Sequence, residues 1–234
     1  MSLTKTLAKV PFLGKLIPDG IDYFGTVLLI DDDPGQRIKI TAALEAERPV
    51  KGRDGAKIPH SDRKYQVVTA EVMDKIIEAL EHYHPGKGPE NKAVAAVVDL
   101  KYPGNVARKS RGGIGPGVYN GFHVVELLRR EVDNGLYHIP IILNTSGLNM
   151  TGKARVRSVE ELLRLNDAQI DSLNMDDVLA LQNPPRTQGS TLRLHHEGPF
   201  IDGVYRKLDR GQNFWNLREL VDQLAGQYKK FQAR

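Results

Sequence analysis

The 234-residue chain contains no cysteine, and that one absence removes disulfides, thiolate metal sites and a cysteine nucleophile from consideration. It fits a reducing interior, so a cytoplasmic location is expected. Aromatic residues are few, at 6% with a single tryptophan, and no stretch reaches the roughly 18 consecutive apolar residues that a membrane-spanning helix needs. Charge of one sign is lacking too. The 33 basic residues exceed the 29 acidic ones by only four, too slight an excess to indicate nucleic-acid binding. The N-terminal "MSLTKTLAKVPFLGKLIPDG" is basic, but Lys15 interrupts its apolar run and no small-residue cleavage site follows, which argues against a secretory signal.

What remains is the composition of an ordinary globular protein, 40% hydrophobic and 26% charged, long enough for one enlarged domain or two small ones. Residues 1–25 read as a short amphipathic extension packed on a domain spanning 26–234. Basic residues gather at 51–64 and 101–113, whereas acids cluster at Asp31, Asp32 and Asp33.

That acidic cluster closes the segment "TVLLIDDDPGQR", in which a short apolar run of the kind found in buried parallel strands meets three carboxylates. Pro34 then opens a predicted helix, with Ile38, Ala42 and Leu44 expected on its apolar face. The pattern recurs along the chain. Strands are predicted at 65–70, 93–100, 139–146 and 202–208, and helices at 71–84, 121–132 and 214–232, with two or three short helices between 158 and 182. Ser158 with Glu161 forms a capping box, and Asp167 or Asn174 can cap the next short helix. Five strands alternating with helices predict an α/β fold with a five-stranded parallel, doubly wound sheet. In such sheets the ligand site lies beyond the carboxyl ends of the strands.

Asp31 and Asp32 end the first predicted strand, Asp99 the third, Asn144, Thr145 and Ser146 the fourth, and Lys207 the fifth. A lone aspartate after a strand is ordinarily a helix cap, and Asp33, nearest to Pro34, reads as one. Asp99 does not, because Pro103 and Gly104 interrupt the chain before any helix. Adjacent carboxylates facing a third repel unless a cation lies among them, and hard oxygen ligands suit Mg²⁺. A lysine and a hydroxyl on the same rim suit a phosphoryl oxyanion.

Together "LLIDDDP", "VVDLKYPG", "NGFHVVELLRR", "ILNTS" and Lys207 resemble, in order and in strand position, the receiver domain of two-component response regulators. The resemblance covers roughly 26–232 with interruptions and implies a flavodoxin-like receiver fold. It implies that Asp99 is the phospho-acceptor, that Asp31 and Asp32 hold Mg²⁺ with Asp99 and the backbone carbonyl of Lys101, that Lys207 contacts phosphoryl oxygens, and that Thr145 moves toward them. The implied phosphodonor is a sensor histidine kinase or phosphotransfer protein, as in a phosphorelay. The implied output is contact with a downstream protein partner, with no nucleic acid or membrane involved, and a homodimer is compatible. With no output domain expected after 232, the reading is a stand-alone receiver that catalyses nothing beyond its own dephosphorylation.

The departures are specific. Leu208 stands where the family has proline, and Val204 where it has the switch aromatic, with Tyr205 one place late. Insertions are expected near 48–64, 105–119 and 148–198. The second carries Arg108, Lys109 and Arg111 beside the acceptor, as a solvated loop or an anion-attracting flap. In the third, His195 and His196 read as surface histidines. Two other functions remain open: a phosphorylation-silent, receiver-like binding module regulated by assembly or another ligand, and an aspartyl-phosphate phosphatase with Asp31 as nucleophile and Asp33 as acid.

Overall fold

Val27, Leu28, Leu29 and Ile30 are all buried, because the strand they form, β1 (Gly25–Ile30), lies inside the sheet with neighbours on both edges. The computed structural model describes residues 24–46, 64–70, 93–101, 120–129, 139–145, 152–183, 198–207 and 214–232. Outside these lie most of the N-terminal extension, the predicted helix at 71–84, the loop with Arg108, Lys109 and Arg111, Ser146, His195, His196 and Leu208.

The sheet comprises β1, β2 (Tyr65–Ala70), β3 (Ala93–Asp99), β4 (Ile141–Thr145) and β5 (Gly203–Arg206), in the order β2-β1-β3-β4-β5 with every pairing parallel. This is the flavodoxin-like, doubly wound order. The chain leaves β1 outward to β2 and then returns across β1 to β3, so the order reverses between β1 and β3. In folds of this order, ligands bind at that reversal, past the carboxyl ends of the two strands.

Helix α1 (Pro34–Glu45) follows β1, α2 (Gly121–Arg129) follows β3, and α6 (Phe214–Gln232) closes the described chain. The β1–α1–β2 and β3–α2–β4 crossovers run in opposite directions along the sheet, and a right-handed connection puts their helices on opposite faces. Helix α6 packs beside α1 and against β3 and β5. Two buried arginines tie these layers. Arg218 of α6 donates to the carbonyls of Ala43 (2.8 Å) and Ala46 at the open end of α1, while neighbouring Asp222 accepts from the Tyr65 hydroxyl at 2.6 Å. Arg129, at the end of α2, donates to the carbonyls of Ile139 (2.8 Å) and Phe200 (3.2 Å) and pairs with Asp202 at 2.6 Å, clasping the entrances to β4 and β5.

The face of α1 differs from expectation. Ile38 is 71% exposed and Ala42 is also exposed, while Ile40 and Leu44 are buried. Two residues along a helix turn the side chain by about 200°, so burying Ile40 puts Ile38 in solvent.

The third insertion folds as α3 (Val159–Leu162), α4 (Asp167–Asp171) and α5 (Met175–Ala180), joined by a parallel bridge between Ala154 and Leu173. Val159, Leu162, Ile170, Leu173, Met175 and Val178 supply its buried residues, continuous with the main core. Ser158 caps α3 by accepting from Glu161 N at 3.1 Å, but the Glu161 carboxylate accepts from Arg157 N rather than closing the box on Ser158. Asn166, not Asp167, caps α4 and makes the reciprocal box with Gln169, because Asp167 already lies inside the helix; Asn174 caps α5. β5 is shorter than the predicted 202–208 and ends at Arg206, leaving Lys207 just past the strand.

Candidate phosphoryl-transfer and cation site

Parallel register puts Ile30 beside Val98, so the next residues, Asp31 and Asp99, emerge side by side where the strand order reverses. Asp99 is in turn paired with Asn144, and Asn144 with Tyr205. Asp31 is fully buried, and Asp99 and Lys207 nearly so. Lys207 Nζ lies 3.1 Å from Oδ2 of Asp31 and 3.1 Å from Oδ2 of Asp99, so a single ammonium spans both carboxylates. Its backbone N–H donates to the Thr145 carbonyl at 2.6 Å, which fixes the lysine to β4.

The acidic turn is held by its own backbone. Asp31 Oδ1 accepts from Asp33 N at 2.9 Å, and Arg37 donates to the carbonyls of Asp31 (2.7 Å) and Asp32 (2.9 Å). Asp33 is the N-cap of α1, accepting from Gly35 N at 2.7 Å and Gln36 N at 3.2 Å. Gly121 brings α2 against this region: its N–H donates to the Leu100 carbonyl at 2.9 Å, and a Cβ there would lie 2.8 Å from Leu100 Cα and closer still to the Asp99 carbonyl oxygen.

Burial raises both carboxyl pKa values. Asp99 is pushed up to about 6 by desolvation, with Lys207 pulling it down and Asp31 pushing it up. Asp31 is raised for the same first reason, against the opposing pull of Lys207. The Lys101 backbone N–H also donates to Asp99, and this lowers the value. On the other side of the loop the Lys101 ammonium pairs with Asp171 of α4 at 2.7 Å, both half-exposed, and His123 of α2 bonds the Leu163 carbonyl. The insertion thus touches the segments flanking Asp99.

The donor set fits a hard divalent cation. Asp31, Asp32 and Asp99 each offer a carboxylate oxygen, all within 4.8 Å of one another. Three carboxylates against the one ammonium of Lys207 leave two negative charges, which a divalent ion would neutralise.

The structure therefore brings together Asp31, Asp32, Asp99 and Lys207, with Thr145 buried beside them and Lys101 two residues beyond Asp99. Two contributors carry no role in the sequence reading. Arg37 looks in the sequence like an ordinary arginine in the first turns of α1, and Asn144, although assigned to the rim, has no assigned bond; its amide donates to Asp31 Oδ2 at 3.4 Å. A polar amide inside the aliphatic strand "IILNT" was the available signal.

No protein-family model matches the chain, and no curated protein does. Its fold is similar to those of solved receiver domains. A CheY-like response regulator receiver domain from Methanospirillum hungatei is 13% identical, with 89% of this chain and 99% of that one covered and a TM-score of 0.43. The signal receiver domain of a DNA-binding response regulator from Colwellia psychrerythraea is 14% identical, with 88% and 99% covered and a TM-score of 0.42. The phosphorylated cyanobacterial phytochrome response regulator RcpA is 13% identical, with 87% and 93% covered and a TM-score of 0.40.

Proposed function

We propose that this protein is a response-regulator receiver that accepts a phosphoryl group on Asp99 and signals through protein–protein contacts. The observation that carries this reading is the lysine shared between Asp31 and Asp99, each 3.1 Å away, with Asp32 completing the acidic cluster. Asp31, Asp32, Asp99 and the backbone carbonyl of Lys101 would hold Mg²⁺. When bound, the ion neutralises charge on the phosphoryl oxygens as transfer proceeds.

Asp99 is the nucleophile in this proposal. Its carboxylate oxygen forms a bond to phosphorus while the P–N bond of a donor phosphohistidine breaks, the imidazole leaves with a proton, and an acyl phosphate results. Lys207 would exchange its bond to Asp99 for one to a phosphoryl oxygen, and Asp31, 3.1 Å from the ammonium, would keep it anchored during that exchange. Phosphoryl transfer asks mainly for such positioning and charge neutralisation. The product adds about −1.5 to −2 charges beside Thr145 and Lys207, enough to bias a neighbouring loop or helix that contacts a downstream protein. The donor would be a sensor histidine kinase or phosphotransfer protein in the cytoplasm. Among the described residues no helix is long and apolar enough to cross a membrane.

The test is intact-mass measurement after incubation with Mg²⁺ and acetyl phosphate. One added phosphoryl group on the wild type and none on Asp99→Ala is expected. An unmodified wild type, under conditions that label a control receiver, would instead favour a phosphorylation-silent binding module. The Lys101–Asp171 pair and the folded insertion are the features that speak for that second reading. Label on Asp31 would support the phosphatase, against which stands the use of Asp33 as a helix cap.

A further inference from the structure

We infer that Asn144 is a positioning residue of the acidic pocket, fixing Asp31 through its amide N–H and offering its amide oxygen to the water shell of a bound cation. The inference rests on the reading of Asp31, Asp32 and Asp99 as a cation site.

Asn144 is fully buried near the carboxyl end of β4, in register with Asp99, and its side chain reaches past β3 to Asp31, where Nδ2 donates to Oδ2 at 3.4 Å. That oxygen also accepts from Lys207 at 3.1 Å, so both of its lone pairs are engaged, and Oδ1 already accepts from Asp33 N. Asp31 is therefore held by three donors, with at most one lone pair to spare. Such a carboxylate orients a cation's water better than it binds the ion directly, which leaves Asp32, part-exposed, and Asp99, buried but with fewer donors on it, as the more available ligands.

The other end of the amide points to the same role. Asn144 Oδ1 is buried and has no hydrogen-bond partner among the described residues. Flipping the amide would not relieve it, because the oxygen would then face the Asp31 carboxylate and the donor would be orphaned instead. An unmatched acceptor attached to a donor that grips an acidic cluster asks for an incoming O–H, and water bound to a cation supplies one. An aliphatic residue would have filled this strand position without leaving a buried acceptor.

The experiment is calorimetric titration of Mg²⁺ into the full chain, paired with thermal unfolding with and without Mg²⁺, for wild type and Asn144→Leu. Leucine keeps the branching at Cγ and the number of side-chain heavy atoms and removes both hydrogen-bonding ends. We expect Mg²⁺ affinity to fall about tenfold or more and the Mg²⁺-induced rise in Tm to shrink, with the metal-free Tm nearly unchanged. If Asn144→Leu does not fold, Asn144→Ser, whose hydroxyl is too short to span to Asp31, is read by the same criteria. A wild type that binds Mg²⁺ beside a variant with unchanged affinity overturns the role of Asn144 and leaves the cation site standing, even if the variant's Tm falls equally with and without metal. A wild type that binds no Mg²⁺ overturns the cation site, and this inference with it.

Discussion

The Lys207 ammonium sits 3.1 Å from Asp99 while also holding Asp31, so the residue proposed to accept a phosphoryl group is tied to the acidic turn through one buried charge. Asp31 has no bulk water to solvate it and Asp99 has little. Each depends on this lysine, and the lysine depends on them.

Replacing Lys207 by methionine should therefore destabilise the metal-free protein by about 3 kcal/mol at neutral pH, because two buried carboxylates lose their partner. Urea denaturation checks this. Acidification should recover much of the loss, as protonation removes the unpaired charge, whereas a lysine acting only as packing would show no such recovery. Phosphoryl acceptance from acetyl phosphate should fall as well.

The pH dependence of the metal-free wild type has a definite sign. Asp99 takes a proton below about 6 in the fold but below 3.8 ordinarily, so the folded state binds more protons between those values. Stability from this group is fully present below about pH 4 and is lost as the pH rises through about 6; Asp31, also raised, adds the same sign. The loss from Asp99 amounts to about 3 kcal/mol across the window. Mg²⁺ should reverse the trend by holding the carboxylates ionised, so its stabilising effect should grow as the pH rises through 6. Thermal unfolding from pH 4.5 to 8, with Mg²⁺ and with chelator, measures both slopes.

Arg129 predicts a separation of stability from chemistry. Its guanidinium serves two carbonyls and Asp202 at the entrances of β4 and β5, the end of the sheet away from Asp99. Arg129→Met should cost about 3 kcal/mol or more, since Asp202 loses its charged partner and keeps only the Ile141 N–H among the described residues, while two buried carbonyls lose the Arg129 donor. The folded fraction should still bind Mg²⁺ and accept phosphoryl groups at wild-type rates. Denaturation curves with labelling under stabilising conditions would distinguish the two.

The sheet and the acids were legible because each depends on neighbours in sequence. Apolar strands such as "AVAAVV" ending in Asp99, and Pro34 following Asp33, signal strand ends and a helix start locally. What escaped depends on contacts between segments far apart. Ile38 and Ile40 are equally apolar, and only the packing of α1 on β2 and α6 decides that Ile40 is buried. Arg129 and Arg218 look like surface arginines until tertiary structure brings the carbonyls of Phe200 and Ala43 to them. Asn144 shows its purpose only once register carries it to Asp31. The insertion's helices were legible through Ser158 and Asn174, but choosing Asn166 over Asp167 required knowing where α4 begins.

Two glycines should behave oppositely when replaced by alanine. At Gly121 a Cβ would press on the backbone of Asp99 and Leu100, 2.8 Å from the Leu100 Cα, and backbone in a buried sheet cannot yield as a side-chain tip can. The helix must back away or Asp99 must shift relative to Lys207, so Gly121→Ala should cost about 1–3 kcal/mol and slow phosphoryl acceptance as well. At Gly203 the nearest atoms are methyl groups of Leu220 and Leu224, the closest at 3.3 Å, and these can rotate. Gly203→Ala should change stability by less than about 1 kcal/mol and leave acceptance unaltered. Urea denaturation with acetyl phosphate labelling of both variants checks the contrast. Equal labelling rates would mean that contact between α2 and the Asp99 backbone does not set the acceptor's position.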